Sequence, residues 1–355
     1  MPRSRIMLPT HETSLLWNYF DAVSNAITSR FERGSPPGEE NLTFLLCELL
    51  DESASDLHRL SYSLSDLKKA LESGDSGLTL DVRFDTHPHS KHFESKYSGA
   101  DLGLVLSIDH PMLGRSTRAV LLQAKKLFPA RRAEQFSLYS TYSSFDAAQA
   151  KFLESLARRF DAWRSVFYLW YNPSTGAFDD TASKHIRSYE ATSTALVPWR
   201  RHPFMDELIE FGYPFAFSNH ARGSTSSERD AELQREWRAS QPAMRVSSLS
   251  VAMSTSTGPS APSIRALYDQ IAEQSDPVAF SPFADFMLLA LLNPRFGSSQ
   301  SEWIALAEGR LTKLPPKKQQ QANDSNVDPT DSVDRPPVPR HTLRVSLRST
   351  LPNQG

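Results

Sequence analysis

The chain has 355 residues, enough for one large domain or two ordinary ones, and its 39% hydrophobic content is low enough to expect some chain outside any core. Lys plus Arg number 39 against 41 Asp plus Glu, a net charge of −2, which excludes a generally polybasic nucleic-acid binder but not a local basic cleft. The one cysteine, Cys47, excludes a disulfide scaffold and a cysteine-rich zinc finger; the longest apolar run, Phe286 to Leu292, is too short to span a membrane.

The opening MPRSRIMLPTHETSLLWNYF lacks the apolar centre of a signal peptide, so a soluble, cytoplasmic protein is expected. Residues 12–31 carry Leu15, Leu16, Tyr19, Phe20, Val23 and Ile27 at helical spacing and predict a first amphipathic helix. Pro36, Pro37 and Gly38 break it. A second helix opens at Glu39 and Glu40, with Leu42, Leu45, Leu46 and Leu49 as its stripe and acids in its first turn, where they suit the helix dipole. A short third helix is predicted over residues 65–72. Strands follow at 78–84, 99–108 and 118–127, then a helix over 145–163 and a buried strand over 165–171 that ends at an Asn-Pro turn. This order predicts an α/β core with a mixed sheet flanked by helices.

Past this core, residues 223–262 are crowded with Ser, Thr, Gly and Pro and read as an insertion or flexible loop. Residues 263–313 read as a helical segment packing on the core. From 314 to 355 the chain offers so little to bury that a disordered tail is expected. The core itself is assigned to residues 1–222.

The segment that carries chemistry is ESKYSGADLGLVLSIDHPMLGRSTRAVLLQAKKL, residues 94–127. On its first strand residues 101, 103, 105 and 107 share a face; on its second, Gln123 and Lys125 share one. A hairpin symmetrical about Leu113 pairs residue 101 with 125 and 103 with 123. Asp101, Gln123 and Lys125 then converge beside Gly103, whose missing side chain leaves room for an approaching group. Carboxylate and amide oxygens are hard ligands suited to Mg²⁺ or Mn²⁺, and a neighbouring ammonium can offset charge that develops on a phosphodiester. That set suits phosphodiester hydrolysis.

Asp101 followed by Gln123-Ala124-Lys125 resembles the motif of the PD-(D/E)XK restriction-endonuclease-like superfamily, in its Q-x-K form known from Mrr-like restriction enzymes and anti-phage defence nucleases. The resemblance covers residues 39–171. It implies a restriction-endonuclease-like core, a Mg²⁺-dependent or Mn²⁺-dependent endonuclease acting on DNA in prokaryotic defence, and a site of Asp101, Gln123 and Lys125. Such nucleases add a Glu from the helix before the sheet. Glu40 is the choice here, as catalytic residue and third metal ligand with Asp101 and Gln123; Glu39, Glu94 and Gln149 are second-layer candidates, and Glu48 is in reserve. Gln123 at the acidic position departs from the common pattern and keeps a second reading open: a non-catalytic nuclease-fold subunit that binds or scaffolds within a larger defence complex. Nucleic acid, another protein subunit and no membrane are the expected partners.

Blander readings stand beside these. Acids at 39 and 40 also serve a helix N-terminus. His87, His89 and His92 would need Cys47 as a fourth zinc ligand, and zinc is not expected. Arg131-Arg132, Arg158-Arg159 and Arg200-Arg201 are phosphate contacts or, taken singly, solvated pairs. No phosphate-binding loop, nucleophile elbow or dinucleotide fingerprint is present in the sequence.

Overall fold

The computed structural model describes residues 10–31, 37–51, 60–74, 77–87, 100–111, 114–129, 135–137, 140–142, 147–162, 165–173, 177–181, 249–253, 281–292, 296–315 and 336–349. Helix α1 spans Thr10–Phe31 and buries Leu16, Tyr19, Phe20, Val23 and Ile27, the predicted stripe. Helix α2, Glu39–Leu50, starts after Gly38, which offers no side-chain cap, so its first turn leans on Glu39 and Glu40. Helix α3, Leu64–Glu72, has a full capping box in which Ser63 and Asp66 satisfy each other's backbone amides.

Strands β1 (Leu78–Thr86), β2 (Leu102–His110), β3 (Gly114–Phe128), β4 (Thr141–Tyr142), β5 (Val166–Tyr171), β6 (Leu249–Met253), β7 (Ser281–Pro282) and β8 (His341–Ser349) alternate with α4 (Ala147–Arg159), α5 (Phe283–Leu292) and α6 (Ser301–Ala307). The main body of the sheet is five strands in the order β1-β8-β2-β3-β5, extended by β6 and β7, with β4 on the end of β3. It is mixed: β8 runs parallel to β2 and antiparallel to β1, and β5 runs parallel to β3. Along the chain the elements run α2, α3, β1, β2, β3, β4, α4 and β5, so the expected αβββαβ order is interrupted by α3 and β4, and in the sheet β8 stands between β1 and β2.

Side-chain alternation divides the sheet into two cores. Leu102, Leu104, Leu106, Ile108, Val120, Leu122 and Ala124 face α1, α2 and α5. Val105, Ala119 and Leu121 face α4 and α6, where Trp303 is fully buried against Phe160 and donates to the Ala119 carbonyl at 3.0 Å. Among the described residues, no helix is long and apolar enough to cross a membrane.

Two expectations change here. The segment expected as a disordered tail, 314–355, contributes β8, a strand inside the sheet with Leu343, Val345 and Leu347 buried. Its low overall hydrophobicity concealed a period-two pattern, which is all that a strand with one face on a core needs. The five-residue strand β6 lies within 223–262, read as an insertion or loop; the rest of that stretch lies outside the described residues. The sheet therefore draws on residues well past 222, where the core was expected to end.

The hairpin register also differs from the symmetrical guess. His110 pairs with Gly114 and Gly103 with Leu121, so the turn centres on position 112 and the register moves by two residues. A two-residue slip preserves the face, so Asp101, Gln123 and Lys125 still lie on the same side. Gly103 has a different purpose from the one expected. A Cβ built there would overlap the Ala307 carbonyl oxygen and lie 2.8 Å from its carbon, so the glycine admits the end of α6 and not a ligand.

Candidate functional site

The site forms where β2 leaves β3. Along β3 the even-numbered backbone groups point toward β2, as the hydrogen bond from the Asp101 amide to the Leu122 carbonyl shows (3.0 Å), while Leu121 donates the other way to Ser165 (2.8 Å). Beyond Leu122, β2 offers no further ladder carbonyl, because the Ala100 carbonyl accepts from the Arg340 amide on the β8 side (3.4 Å). The next two inward-pointing amides of β3 are met by carboxylates instead. Ala124 donates to Asp101 Oδ2 at 2.7 Å, and Lys126 donates to Glu39 Oε2 at 3.0 Å. Two acids thus fill a gap in a β-ladder, and the backbone holds both in fixed positions.

Gln123 Nε2 also donates to Asp101 Oδ2, and its amide oxygen Oε1 is buried without a hydrogen-bond partner. A buried amide oxygen left this way costs free energy unless something electropositive meets it. Lys125 is buried, 3% exposed, and its charge favours the ionised form of Asp101, which places it within electrostatic reach. Burial, and next the Glu39 carboxylate, push Asp101 up to about 7; the Ala124 amide, Lys125 and Arg340 only partly offset them.

The helix acid beside Asp101 is thus Glu39, not the expected Glu40. Glu40 points outward, 64% exposed, and pairs with Arg340 at 2.5 Å. Successive helical residues differ by about 100° in direction, so a one-residue change in where α2 begins exchanges the two. Glu39 is secured from behind, since Tyr171 on β5 donates to Thr43 at 3.0 Å and Thr43 donates to the Glu39 carbonyl at 3.0 Å. Glu48 lies in the last turn of α2, away from its first turn. Glu94, His89, His92, Arg131-Arg132 and Arg200-Arg201 lie outside the described residues; Gln149 lies on α4. His87 bonds Thr342 through Nε2 at 2.9 Å, and Arg159 donates to the Pro315 carbonyl at 2.6 Å, so both serve the scaffold.

Two cations at the site went unrecognised in the sequence. Lys126 is buried, donates to the Pro37 carbonyl at 2.8 Å and lies 5.0 Å from the Phe128 ring; burial pulls its pKa down, with Glu39 acting against that. Arg340 arrives with β8. Its signal was the alternation in HTLRVSLRS just after it.

Among the described residues, no group of three or more His, Cys, Asp or Glu side chains is arranged to hold a metal ion. Counting the amide changes the donor set: two carboxylates and the orphaned Oε1 of Gln123 are hard oxygens suited to one Mg²⁺ or Mn²⁺, and the mutual repulsion of Asp101 and Glu39 is what a cation would relieve. Neither a family model, nor a curated protein, nor a solved structure matches the chain.

Proposed function

We propose that the protein is a metal-dependent nuclease with a restriction-endonuclease-like core, acting on DNA in prokaryotic defence, and that Asp101, Gln123, Lys125 and Glu39 form its active site. The observation that carries the reading is the meeting of Asp101, Gln123 and Glu39 at the point where β2 and β3 part, with Lys125 one strand repeat from Gln123 on the same face. The β2–β3 hairpin followed by α4 and by β5, which runs parallel to β3, supports it. Asp101, Glu39 and Gln123 Oε1 would hold the ion. When bound, Mg²⁺ or Mn²⁺ would supply a Lewis acid for a phosphodiester oxygen and a nucleophile at neutral pH.

The chain's own residues do the rest. Asp101, raised to about 7, holds its proton below neutral pH and shares it near neutrality, and a bound cation would favour its ionised form. Its backbone partner at Ala124 fixes its orientation, as the Lys126 amide fixes Glu39. Lys125, nearly excluded from water, presents an ammonium that offsets charge developing on the phosphate oxygens in the transition state.

A second reading has its own support: the carboxylates already satisfy the β3 amides, and Gln123 already bonds Asp101, so the same residues can serve a non-catalytic nuclease fold that binds or scaffolds. Cleavage of plasmid DNA by purified protein with Mg²⁺ or Mn²⁺ separates the two. Lys125→Ala should keep metal binding and lose cleavage by roughly two orders of magnitude or more, because its ammonium serves the transition state. Wild-type protein that cleaves nothing with either metal, or a Lys125→Ala variant that cleaves as well as wild type, would overturn the nuclease reading.

A further inference from the structure

The start of β8 is fastened to the start of β2. The Arg340 amide donates to the Ala100 carbonyl, and the His341 amide donates to the Asp101 carbonyl at 3.0 Å. The residue that carries the guanidinium is therefore tied by its backbone to the residues that carry the Asp101 carboxylate. Arg340 also acts electrostatically on Asp101, favouring its ionised form alongside Lys125.

The guanidinium's ion pair is uneven. Arg340 is 21% exposed while Glu40, its partner at 2.5 Å, is 64% exposed. A pair with one member so far in water contributes little to folding, so the fold has small need of it. A carboxylate presents two anionic oxygens to a guanidinium, and so does a phosphodiester, which matches the same planar fork. Glu40 sits one position from Glu39 on the same first turn of α2, at the rim of the site.

We infer that Arg340 is the phosphate-binding guanidinium of this site, and that Glu40 is the carboxylate it exchanges for a phosphate of the nucleic acid. This rests on the nuclease reading and deepens it: the C-terminal strand brings a substrate contact to a site otherwise built from residues 39–126. It also gives Glu40 a use distinct from metal ligation. With no substrate present, Glu40 neutralises a cation poised beside Asp101. With substrate present, it is released into water, where it is already mostly exposed.

The test is binding of a fluorescein-labelled duplex oligonucleotide to the full chain in EDTA, where cleavage is suppressed, read by anisotropy over about 50–200 mM KCl. Arg340→Gln should lower the magnitude of the slope of log affinity against log salt by about 0.9, one phosphate contact, and weaken binding roughly tenfold at the low-salt end. Arg340→Lys should restore the slope. Glu40→Gln should tighten binding several-fold, because the competing carboxylate is gone. A wild-type slope in Arg340→Gln overturns the inference. So does a Glu40→Gln variant that weakens binding as much as Arg340→Gln, since the pair would then be a structural clasp. Should Arg340→Gln lower the melting temperature, Glu40→Gln decides alone, its side chain being too exposed to matter for packing. Wild-type protein that neither binds nor cleaves DNA fails the nuclease reading itself, a different result from a wild type that binds and cleaves while Arg340→Gln keeps its slope.

Discussion

At Asp101 the surroundings decide whether the carboxylate keeps its proton. An aspartate in an unfolded chain titrates near 3.9, whereas in the folded protein burial and Glu39 raise Asp101 to about 7. Between those values the folded state holds a proton that the unfolded state has lost. Its contribution to stability is therefore complete below about pH 4 and is lost as pH rises to about 7, a change of up to about 4 kcal/mol. Asp101→Asn has the same shape and cannot ionise. In EDTA we expect it to be more stable than wild type at about pH 8, by up to about 4 kcal/mol, and to match wild type at about pH 4; with Mg²⁺ restored we expect it to cleave nothing. Thermal melts at the two pH values check this; equal melting of the two proteins at the higher pH would mean that the carboxylate is not strained by its surroundings. Strand alternation, a purely local rule, made Asp101, Gln123 and Lys125 legible in the sequence as one face. Glu39 was not separable from Glu40, because the phase of a short helix depends on where tertiary contacts let it start, here the bond from the Lys126 amide to Glu39.

The elements around the site are held by close approaches that composition does not reveal. Gly103 lies in the middle of a strand of Leu, Val and Ile, and its role is set by α6, two hundred residues away in the chain, whose last carbonyl lies where a Cβ would be. Thr342 of β8 donates to that same Ala307 carbonyl at 2.9 Å, so α6, β8 and β2 meet at one point. Gly103→Ala forces either the helix end or the strand to move, and the overlapping atom belongs to backbone, which cannot swing aside as a side chain would. We expect a loss of about 3 kcal/mol in a urea titration, with an unchanged denaturant slope if the fold survives. A loss below about 0.5 kcal/mol would show that α6 is loosely seated there. Helices α1, α2 and α3 and strands β1 and β5 were legible within a few residues, because each buries one periodic stripe. The hairpin register was not, since it depends on turn geometry, and the apolar pattern is unchanged by a slip of two residues.

On the scale of the whole molecule, the C-terminal strand decides whether there is a sheet for the site to stand on. Strand β8 lies between β1 and β2 and pairs with both along its length, from Leu78–Ser349 to Thr86–His341 on one side and from Leu102–His341 to Asp109–Arg348 on the other. A segment rich in Arg, Ser and Thr concealed this, because only Leu343, Val345 and Leu347 mark the buried face, and composition averaged over the preceding PPKKQQQANDSN masks three residues easily. Removing residues 336–355 strips three core side chains and leaves the facing edges of β1 and β2 with no partner for their backbone amides and carbonyls. Closing the gap directly would set β1 against β2, also antiparallel, but one of them would have to shift by about a strand's width against the helices it packs on. The truncated sheet would also lose Arg340 and the bond from the His341 amide to the Asp101 carbonyl, so the site would be undone with the fold. Deletion of 336–355 should therefore abolish a cooperative melt, and a chain ending after Thr350 should melt as wild type does, because β8 is then complete. A synthetic peptide of residues 336–350 added to the truncated chain should restore a melting transition whose midpoint rises with peptide concentration, as mass action requires. A truncated chain that melts cooperatively without the peptide would show that β1 and β2 can close the sheet by themselves.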